Sequence, residues 1–264
     1  MASEVKTNII SPATGTAVTV SGLNVGSDAA GDVLYHDGTD YTRLAKPGTP
    51  AGEVLTFATS ATAPSWVAAA AGGFTSVQAF TASGTWTRPT DITKILVFIT
   101  GGGAAGTFKS GAEGMGGGAG GTAMKFLDVS AISSVAVTIG AGGTNTGTGS
   151  SPSYGNPGGA SAFGVAPATV HCTAGGGSQG SSTGMPGVGG VGASGDINIK
   201  GGTGAYAFGA GGASFWGGGS TFGYNGSSYA SPASVGSFGG GGGGARDATA
   251  GNGEAGACFV MEFK

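Results

Sequence analysis

Short apolar runs separated by glycine, proline and asparagine make up most of the chain, and no segment repeats its apolar positions with the 3.6-residue period of a helix. The clearest runs are 94–100 (KILVFIT) and 257–263 (ACFVMEF), which are dense in the β-branched and aromatic residues typical of strands. Further strands are predicted over 76–81, 122–127, 135–139, 168–172 and 197–199. The pattern therefore predicts a mainly β protein with essentially no α-helix.

Residues 1–70 have a thinner apolar pattern than the rest of the chain. Asp37-Gly38 lies between two β-rich runs, which predicts a hairpin with a two-residue type I′ turn. The unit 52–55 (GEVL) repeats 31–34 (GDVL), and this second unit closes near Trp66. Hairpins with so few apolar residues cannot bury a core alone. We therefore expect a slender β-shaft in an intertwined homo-oligomer, the alternative being a disordered tail with incidental hairpins.

Glycine divides the chain in two, because 10 of the 61 glycines lie in residues 1–100 and the other 51 in residues 101–264. The run 68–73 (AAAAGG) is the predicted boundary. Beyond it, glycine recurs at every third position at Gly111, Gly114, Gly117, Gly120, at Gly184, Gly187, Gly190, and at Gly236, Gly239, Gly242. Three residues per turn is the period of the polyproline-II-type helix, and a bare glycine face lets such backbones approach each other. A strand alternates with period two, so this spacing favours packed polyglycine-II helices over a glycine-rich sheet.

Charge and motifs favour a protein without catalytic activity. A net charge of −3 provides no basic footprint for nucleic acid, and the longest apolar run, 95–99, is too short to insert into a membrane. The stretch 187–192 matches a dinucleotide-binding pattern, but it is saturated with glycine and has no strand leading into it. His36 and His171 are isolated, and no nucleophile–base set or metal-ligand spacing is present. We expect neither an enzyme nor a bound cofactor or metal.

The two cysteines, Cys172 and Cys258, lie in apolar strand-like runs and are too few for a disulfide framework. We predict buried free thiols, with a disulfide or a metal role as the alternative.

Polar and aromatic insertions interrupt the glycine runs. If the strands form one end of the domain, the insertions 107–110, 144–154 and 221–235 lie at the opposite end, as loops on a rigid scaffold. Tyrosine, tryptophan, serine, glycine and asparagine are the residues that binding loops favour. The candidate contact residues are Phe108, Lys109, Tyr154, Tyr206, Phe215, Trp216, Tyr224, Tyr229 and Arg246. For Phe215 and Trp216, the alternative is an apolar cap on the glycine bundle.

Two ordered motifs resemble those of bacteriophage tail fibres. Residues 31–44 (GDVLYHDGTDYTRL) and 52–67, which end in PSWV, are similar to the shaft repeats of these fibres. The stretch FTASGTWTRP from Phe80, followed by ILVFITGGG, resembles the start of their glycine-rich C-terminal domain, and GACFVMEF resembles its end. The glycine runs also resemble the T-even-type fibre-tip adhesins, whose polyglycine-II sandwich displays variable receptor-binding loops.

The resemblance implies a homotrimeric tail fibre on the exterior of the virion, assembled in the host cytoplasm. Residues 1–30 would attach to a virion tail protein, residues 31–73 would form the shaft and linker, and residues 74–264 would form the distal tip. The tip would bind a bacterial surface glycan or outer-membrane protein through its loops. A head fibre or other virion decoration protein is the second hypothesis, and an ice-binding polyglycine-II protein is a weaker third.

Overall fold

The structure, a computed structural model, describes residues 29–49, 52–57, 61, 63–69, 72–109, 114–145, 154–165, 169–181, 184–206, 209–221, 237–246 and 249–264. The chain divides into two compact units, Met1–Ala71 (unit 1) and Gly72–Lys264 (unit 2). The division falls inside the run 68–73. All regular secondary structure of the described residues is β, with no helix among them.

Unit 1 contains two antiparallel hairpins. Their strands are β1 (Val33–His36) paired with β2 (Tyr41–Leu44), and β3 (Glu53–Thr56) paired with β4 (Ser65–Ala68). The first hairpin lies where the sequence predicts it, but the two-residue turn is wrong, because residues 37–40 all lie outside the strands. The carboxylate of Asp37 accepts hydrogen bonds from the amides of Thr39 at 2.8 Å and Asp40 at 2.9 Å, which stabilises the longer loop.

The Gly-Asp signature at the start of the first hairpin has a structural role. The Asp32 carboxylate accepts hydrogen bonds from the amides of Ala29 and Lys46, both at 2.8 Å, and from the Arg43 guanidinium at 3.0 Å. The amides of Lys46 and Ala29, followed by the charge of Arg43, hold the pKa of Asp32 below its usual value. Asp32 therefore links Ala29, Arg43 and Lys46, and both of its carboxylate oxygens accept hydrogen bonds within unit 1.

The hairpins of unit 1 leave apolar side chains exposed. An isolated two-stranded hairpin is at best marginally stable in water. The side chains that are at least 40% exposed are Leu34, Tyr41, Val54, Leu55, Phe57 and Val67. Of the predicted attachment segment 1–30, residues 1–28 lie outside the described part of the chain.

Unit 2 contains the other strands. These are β5 (Phe74–Phe80), β6 (Gly84–Thr87), β7 (Lys94–Thr100), β8 (Phe108–Lys109), β9 (Thr122–Asp128), β10 (Ser134–Thr138), β11 (Ser161–Val165), β12 (Thr169–Ala174), β13 (Gly192–Ala193), β14 (Ile197–Ile199), β15 (Ala245–Arg246) and β16 (Ala257–Phe263). Ten of them form two five-stranded antiparallel sheets. The first sheet has the order β14-β9-β7-β16-β5, and the second has the order β13-β12-β11-β10-β6.

The hydrophobic core lies between these two sheets. One cluster of buried side chains includes Ile95, Val97 and Val260 from the first sheet and Trp86 and Phe163 from the second. Along β7 every second side chain faces this core, because successive residues of a strand point to opposite faces. The sandwich therefore closes around the two runs, 94–100 and 257–263, that the sequence marks most clearly.

Cys172 and Cys258 are buried in this core as free thiols, as the sequence predicts. Burial raises the pKa of Cys172 to about 12 and raises the pKa of Cys258 further still. Neither thiol is positioned to react as a thiolate at neutral pH.

The burial of these thiols leads to a prediction about how the stability of the protein depends on pH. In the unfolded chain cysteines ionise near about pH 8.5, so above that pH the unfolded state releases protons that the folded state keeps. The stabilising contribution of the two thiols is therefore complete below about pH 8.5 and is lost as pH rises towards about 12. We expect Ellman's reagent at pH 8 to detect no rapidly reacting thiol in the folded protein and two in denaturant. A fast native reaction would contradict this core arrangement.

The glycine-rich segments pack beside the sheets by backbone hydrogen bonds that rotate among neighbours. Successive amides of 101–107 donate in turn to three segments at 2.8–3.0 Å. The first, fourth and seventh amides donate to 115–121, the second and fifth to 156–159, and the third and sixth to 251–254. Each step of three along the donor run is a step of three backwards along its acceptor, so the neighbours run antiparallel. The repeat of three predicted from glycine spacing is thus present in the hydrogen bonds of this segment.

The hydrogen-bonded glycine-rich segments together form what we call the bundle. The segment 114–121 lies inside it and is hydrogen-bonded to six neighbouring segments. Its amides donate in rotation to 202–205, 239–242 and 175–178 at 2.8–3.2 Å. Its carbonyl oxygens accept hydrogen bonds from 101–107, from 187–190 and from Gly212. Buried backbone groups must be paired, and here the partners are other backbone groups, except that the Met115 amide donates to the Thr107 hydroxyl at 2.7 Å.

Glycine is required where two of these backbones meet. A Cβ atom at Gly120 would overlap the carbonyl oxygen of Gly101, and one at Gly103 would overlap that of Gly240. The close approach that forms the hydrogen bonds therefore excludes any side chain on the shared face.

Candidate binding surface at the loop end of the bundle

The bundle has two ends, which we name by segment 101–107. Segment 101–107 begins directly after β7, beside the sheets, and we call this end of the bundle the sheet end. It finishes at Thr107 after six residue steps of extended chain, roughly 20 Å away. We call the region around Thr107 the loop end.

Two of the insertions meet at the loop end. The Thr107 amide donates to the Met115 carbonyl oxygen at 2.9 Å, and the Ala245 amide donates to the Thr107 carbonyl oxygen at 3.0 Å. Strands β8 and β15 then pair in parallel, with Phe108 opposite Ala245 and Lys109 opposite Arg246. The segments 107–109 and 245–246 therefore leave the bundle side by side.

The insertion 144–154 starts and ends at this same place. The Asn145 amide nitrogen Nδ2 donates to the Gly106 carbonyl oxygen at 2.8 Å, and the Asn156 amide donates to the Thr144 carbonyl oxygen at 2.9 Å. The side-chain oxygen Oδ1 of Asn252 accepts a hydrogen bond from the backbone amide of Asn145 at 2.8 Å. Tyr154, at the returning end, is 48% exposed. Sequence reasoning did not single out these asparagines, which fix the loop to the bundle.

Among the described residues of the loop end, Tyr206 and Met185 have the most exposed apolar side chains. Tyr206 is 67% exposed and Met185 is 65% exposed. A Cβ at Gly184 would lie 3.6 Å from the Tyr206 hydroxyl and 4.0 Å from the Met115 terminal methyl group, so the tyrosine lies beside the turn that contains Gly184. Sequence reasoning missed Met185, because the candidates were drawn from aromatic and basic residues.

The other candidates differ in how far they are accessible. Phe108 is only 4% exposed and packs with Ala245 and Ala250, so it supports the loop end from within and is not a surface contact of this chain. Arg246 is exposed. Lys109 is placed by its backbone alone, through the pairing of β8 with β15. Tyr224 and Tyr229 lie outside the described residues.

Phe215 and Trp216 lie at the sheet end instead. The Trp216 indole donates to the Thr100 hydroxyl at 2.8 Å, and its ring centroid is 4.8 Å from that of Phe259 and 6.1 Å from that of Phe98. Phe215 packs edge-on against Trp216 and is 44% exposed. This geometry favours the apolar-cap interpretation, and it separates these two residues from Tyr154 and Tyr206 by the length of the bundle.

The predicted scaffold glycines fall into three groups. A Cβ would overlap a neighbouring carbonyl oxygen at Gly114, Gly117, Gly120, Gly187, Gly190 and Gly242. Gly239 and Gly184 have φ angles of 72° and 89°, and Gly184 has no backbone neighbour in overlap. Gly111 and Gly236 lie outside the described residues.

The described surface of the loop end is suited to non-covalent contact. Exposed tyrosine and methionine side chains provide contact area, and the backbone beneath them is fixed by hydrogen bonds. Within the described ranges, His, Cys, Asp and Glu form no group of three or more that could hold a metal ion. No helix of membrane-spanning length and apolarity occurs in the described part of the chain.

Comparison with curated proteins finds no match to this sequence. A family model described as a glycine-rich domain matches residues 75–261, which include both sheets and the hydrogen-bonded glycine segments. Such a domain indicates a structural protein. Because the match covers most of the chain, the protein belongs to this glycine-rich domain family.

Proposed function

We propose that the protein is a phage tail fibre that attaches the virion to a bacterial surface receptor through the loop end of unit 2. The observation that carries the proposal is the pairing of exposed Tyr154, Met185 and Tyr206 with a bundle whose backbone amides are hydrogen-bonded on all sides. Loops on a rigid scaffold are the usual arrangement of a binding surface, since little order is lost when they bind.

Within this proposal the glycine segments are polyglycine-II helices. The rotation of hydrogen bonds among three neighbours with a repeat of three residues supports this assignment. Unit 1 is the trimeric β-shaft, and its exposed apolar side chains support assembly with other copies. The N-terminal residues attach to a virion tail protein, and the fibre lies on the exterior of the particle after assembly in the host cytoplasm.

The fibre acts by multivalent contact and not by catalysis. Each loop end binds a surface glycan or an outer-membrane protein weakly, and the three copies in each fibre raise the effective concentration of the next contact. Neither nucleic acid nor membrane insertion is part of this mechanism.

The proposal is tested by binding of the purified full chain to intact bacteria. We expect fluorescently labelled protein to bind a susceptible strain and to block phage adsorption to it. Tyr206→Ala should weaken binding about tenfold, as expected for an aromatic hot spot. Ile197→Ala is the control, because Ile197 is 55% exposed but lies on β14 at the sheet end.

Two outcomes would contradict this function. If the full chain binds no cells and does not block adsorption, a head fibre or decoration protein becomes the better proposal, and labelling of the virion with antibody would locate it. If Tyr206→Ala and Ile197→Ala weaken binding equally, the loop end is not the contact surface. A measurement of thermal hysteresis tests the ice-binding alternative on the same sample.

A further inference from the structure

We propose that the outer face of the first sheet packs against a second copy of this chain, an inference that rests on the homo-oligomer of the proposed function and names its contact in unit 2. The face is formed by Phe74, Val77, Leu96, Phe126, Met261 and Phe263, which we call the outer patch. In the strand register, Met261 is opposite both Val77 and Leu96, and Leu96 is opposite Phe126. Four apolar side chains therefore lie in one row across four strands.

The sequence of β7 indicates that both faces of the sheet are buried. An antiparallel sheet with one face in water alternates apolar and polar residues, whereas 95–99 is apolar at every position. The core covers one face. On the other, Trp216 covers Phe98 and Phe259 near the sheet end of the bundle.

Further along the same strands the cover is incomplete. Phe74 is 59% exposed, Val77 is 48% exposed and Phe126 is 50% exposed. Contiguous exposed apolar side chains of this kind mark interaction surfaces, because leaving them in water costs the free energy that burial would recover.

Charge favours a second copy as the occupant. Lys94 and Asp128 are opposite each other in the register at one edge of the outer patch, so the patch carries one positive and one negative side chain. Lys264 and Asp91 form another balanced pair nearby, 3.8 Å apart. Two copies of a patch with balanced charge meet without net repulsion, and each lysine can face an aspartate of the other copy. A nucleic acid or an anionic lipid would instead require a basic surface.

Continuity along the chain gives the second argument. Unit 1 ends at Ala71, and β5 begins with Phe74, the first residue of the outer patch. Unit 1 also lacks cover in a single chain, since Val54 and Phe57 are exposed and the buried indole N–H of Trp66 has no acceptor among the described residues. Both units thus require the same kind of partner.

The test measures the reactivity of a cysteine placed on the outer patch of the full chain. Val77→Cys is compared with Val188→Cys, because Val77 is 48% exposed and Val188 47% exposed in the single chain, and Val188 lies in the glycine bundle. The native thiols are buried and do not interfere. At concentrations where light scattering gives a multimeric mass, we expect maleimide to label Val77→Cys at least about tenfold more slowly than Val188→Cys. Dilution should remove this protection together with the multimeric mass.

A second variant measures the energetic importance of the patch. Phe126→Glu replaces a half-exposed side chain, so the single chain should fold, and the dissociation constant between copies should rise at least about tenfold. Val188→Glu is its control and should leave the constant unchanged. Equal labelling of the two cysteines, a single-chain mass at all concentrations, or protection that appears only when another virion protein is added would each overturn the proposal. No cells are used, so failure here is distinct from failure of receptor binding.

Discussion

Gly120→Ala should destabilise unit 2 by about 3 kcal/mol or more, a large effect for the addition of a single methyl group. The added Cβ would overlap the carbonyl oxygen of Gly101. Relief of this overlap requires the two backbones to separate, which breaks the hydrogen bond from the Gly101 amide to Gly121 and disturbs the one from the Gly120 amide to Gly239. Since both lie inside the bundle, the lost partners are not replaced by water. Unfolding in urea, followed by tryptophan fluorescence, measures the change.

Gly218→Ala is the matched control. Gly218 is exposed, lies in another glycine run, and has nothing within 4 Å of an added Cβ. Its replacement should leave stability within about 0.5 kcal/mol or raise it slightly, because alanine restricts the unfolded chain. If both substitutions had the same effect, the glycines would matter for composition only, and the close-approach account of the bundle would be wrong.

The contrast between these two glycines explains what the sequence predicts about the bundle. The spacing of three at 111–120 predicts that one face must be bare, and the hydrogen bonds of 114–121 repeat with that period. The spacing does not identify which segments become neighbours, because every glycine run offers the same bare face. The partners of Gly120 are set by where the strands deliver each run, and that depends on sheet order.

Strand prediction succeeded where apolar side chains are dense and failed where a strand contains few of them. The bounds of β7 and β16 were predicted as 94–100 and 257–263, as observed. Strand β6 was missed because glycine and threonine surround its one large apolar residue, Trp86. Strand β11 was missed because Gly164 interrupts its apolar run, at a bulge between Phe163 and Gly164.

The exposure of the candidate contact residues could not be predicted from the sequence, because it depends on segments that are distant in the chain. Phe108 and Tyr206 both follow glycine-rich runs, yet Phe108 is 4% exposed and Tyr206 is 67% exposed. The cover over Phe108 comes from Ala245 and Ala250, which are far away in the chain. An aromatic residue beside glycine has few local neighbours, so distant segments decide whether it is buried.

Glu262→Ala should destabilise unit 2 by about 3 kcal/mol or more, although the residue lies in a strand that is otherwise apolar. Glu262 is 1% exposed, and its carboxylate accepts hydrogen bonds from Ser76 at 2.5 Å, Gln78 at 2.7 Å and the Trp86 indole at 2.8 Å. Ser76 and Gln78 lie on β5 of the first sheet, whereas Trp86 lies on β6 of the second, so this carboxylate connects the two sheets. Removing it takes the acceptor from the Ser76 hydroxyl and from the fully buried Trp86 indole, and it leaves the Gln78 side-chain amide only a 3.4 Å hydrogen bond to the Thr87 carbonyl oxygen. Thermal unfolding compared with the wild type measures the loss.

Two further variants separate the acceptor role of Glu262 from its packing. Glu262→Gln preserves the shape but replaces one acceptor oxygen with a donor nitrogen, and it should cost about 1–2 kcal/mol because part of the network survives. Glu254→Ala is the charge-matched control, since Glu254 is partly exposed and its backbone supplies its hydrogen bonds in the bundle, so stability should change by less than about 0.5 kcal/mol. A double-mutant cycle with Trp86→Phe should then give a positive coupling energy between the two sheets. Additive losses would instead mean that the indole and the carboxylate stabilise the sandwich independently, and that the apolar core alone holds the sheets together.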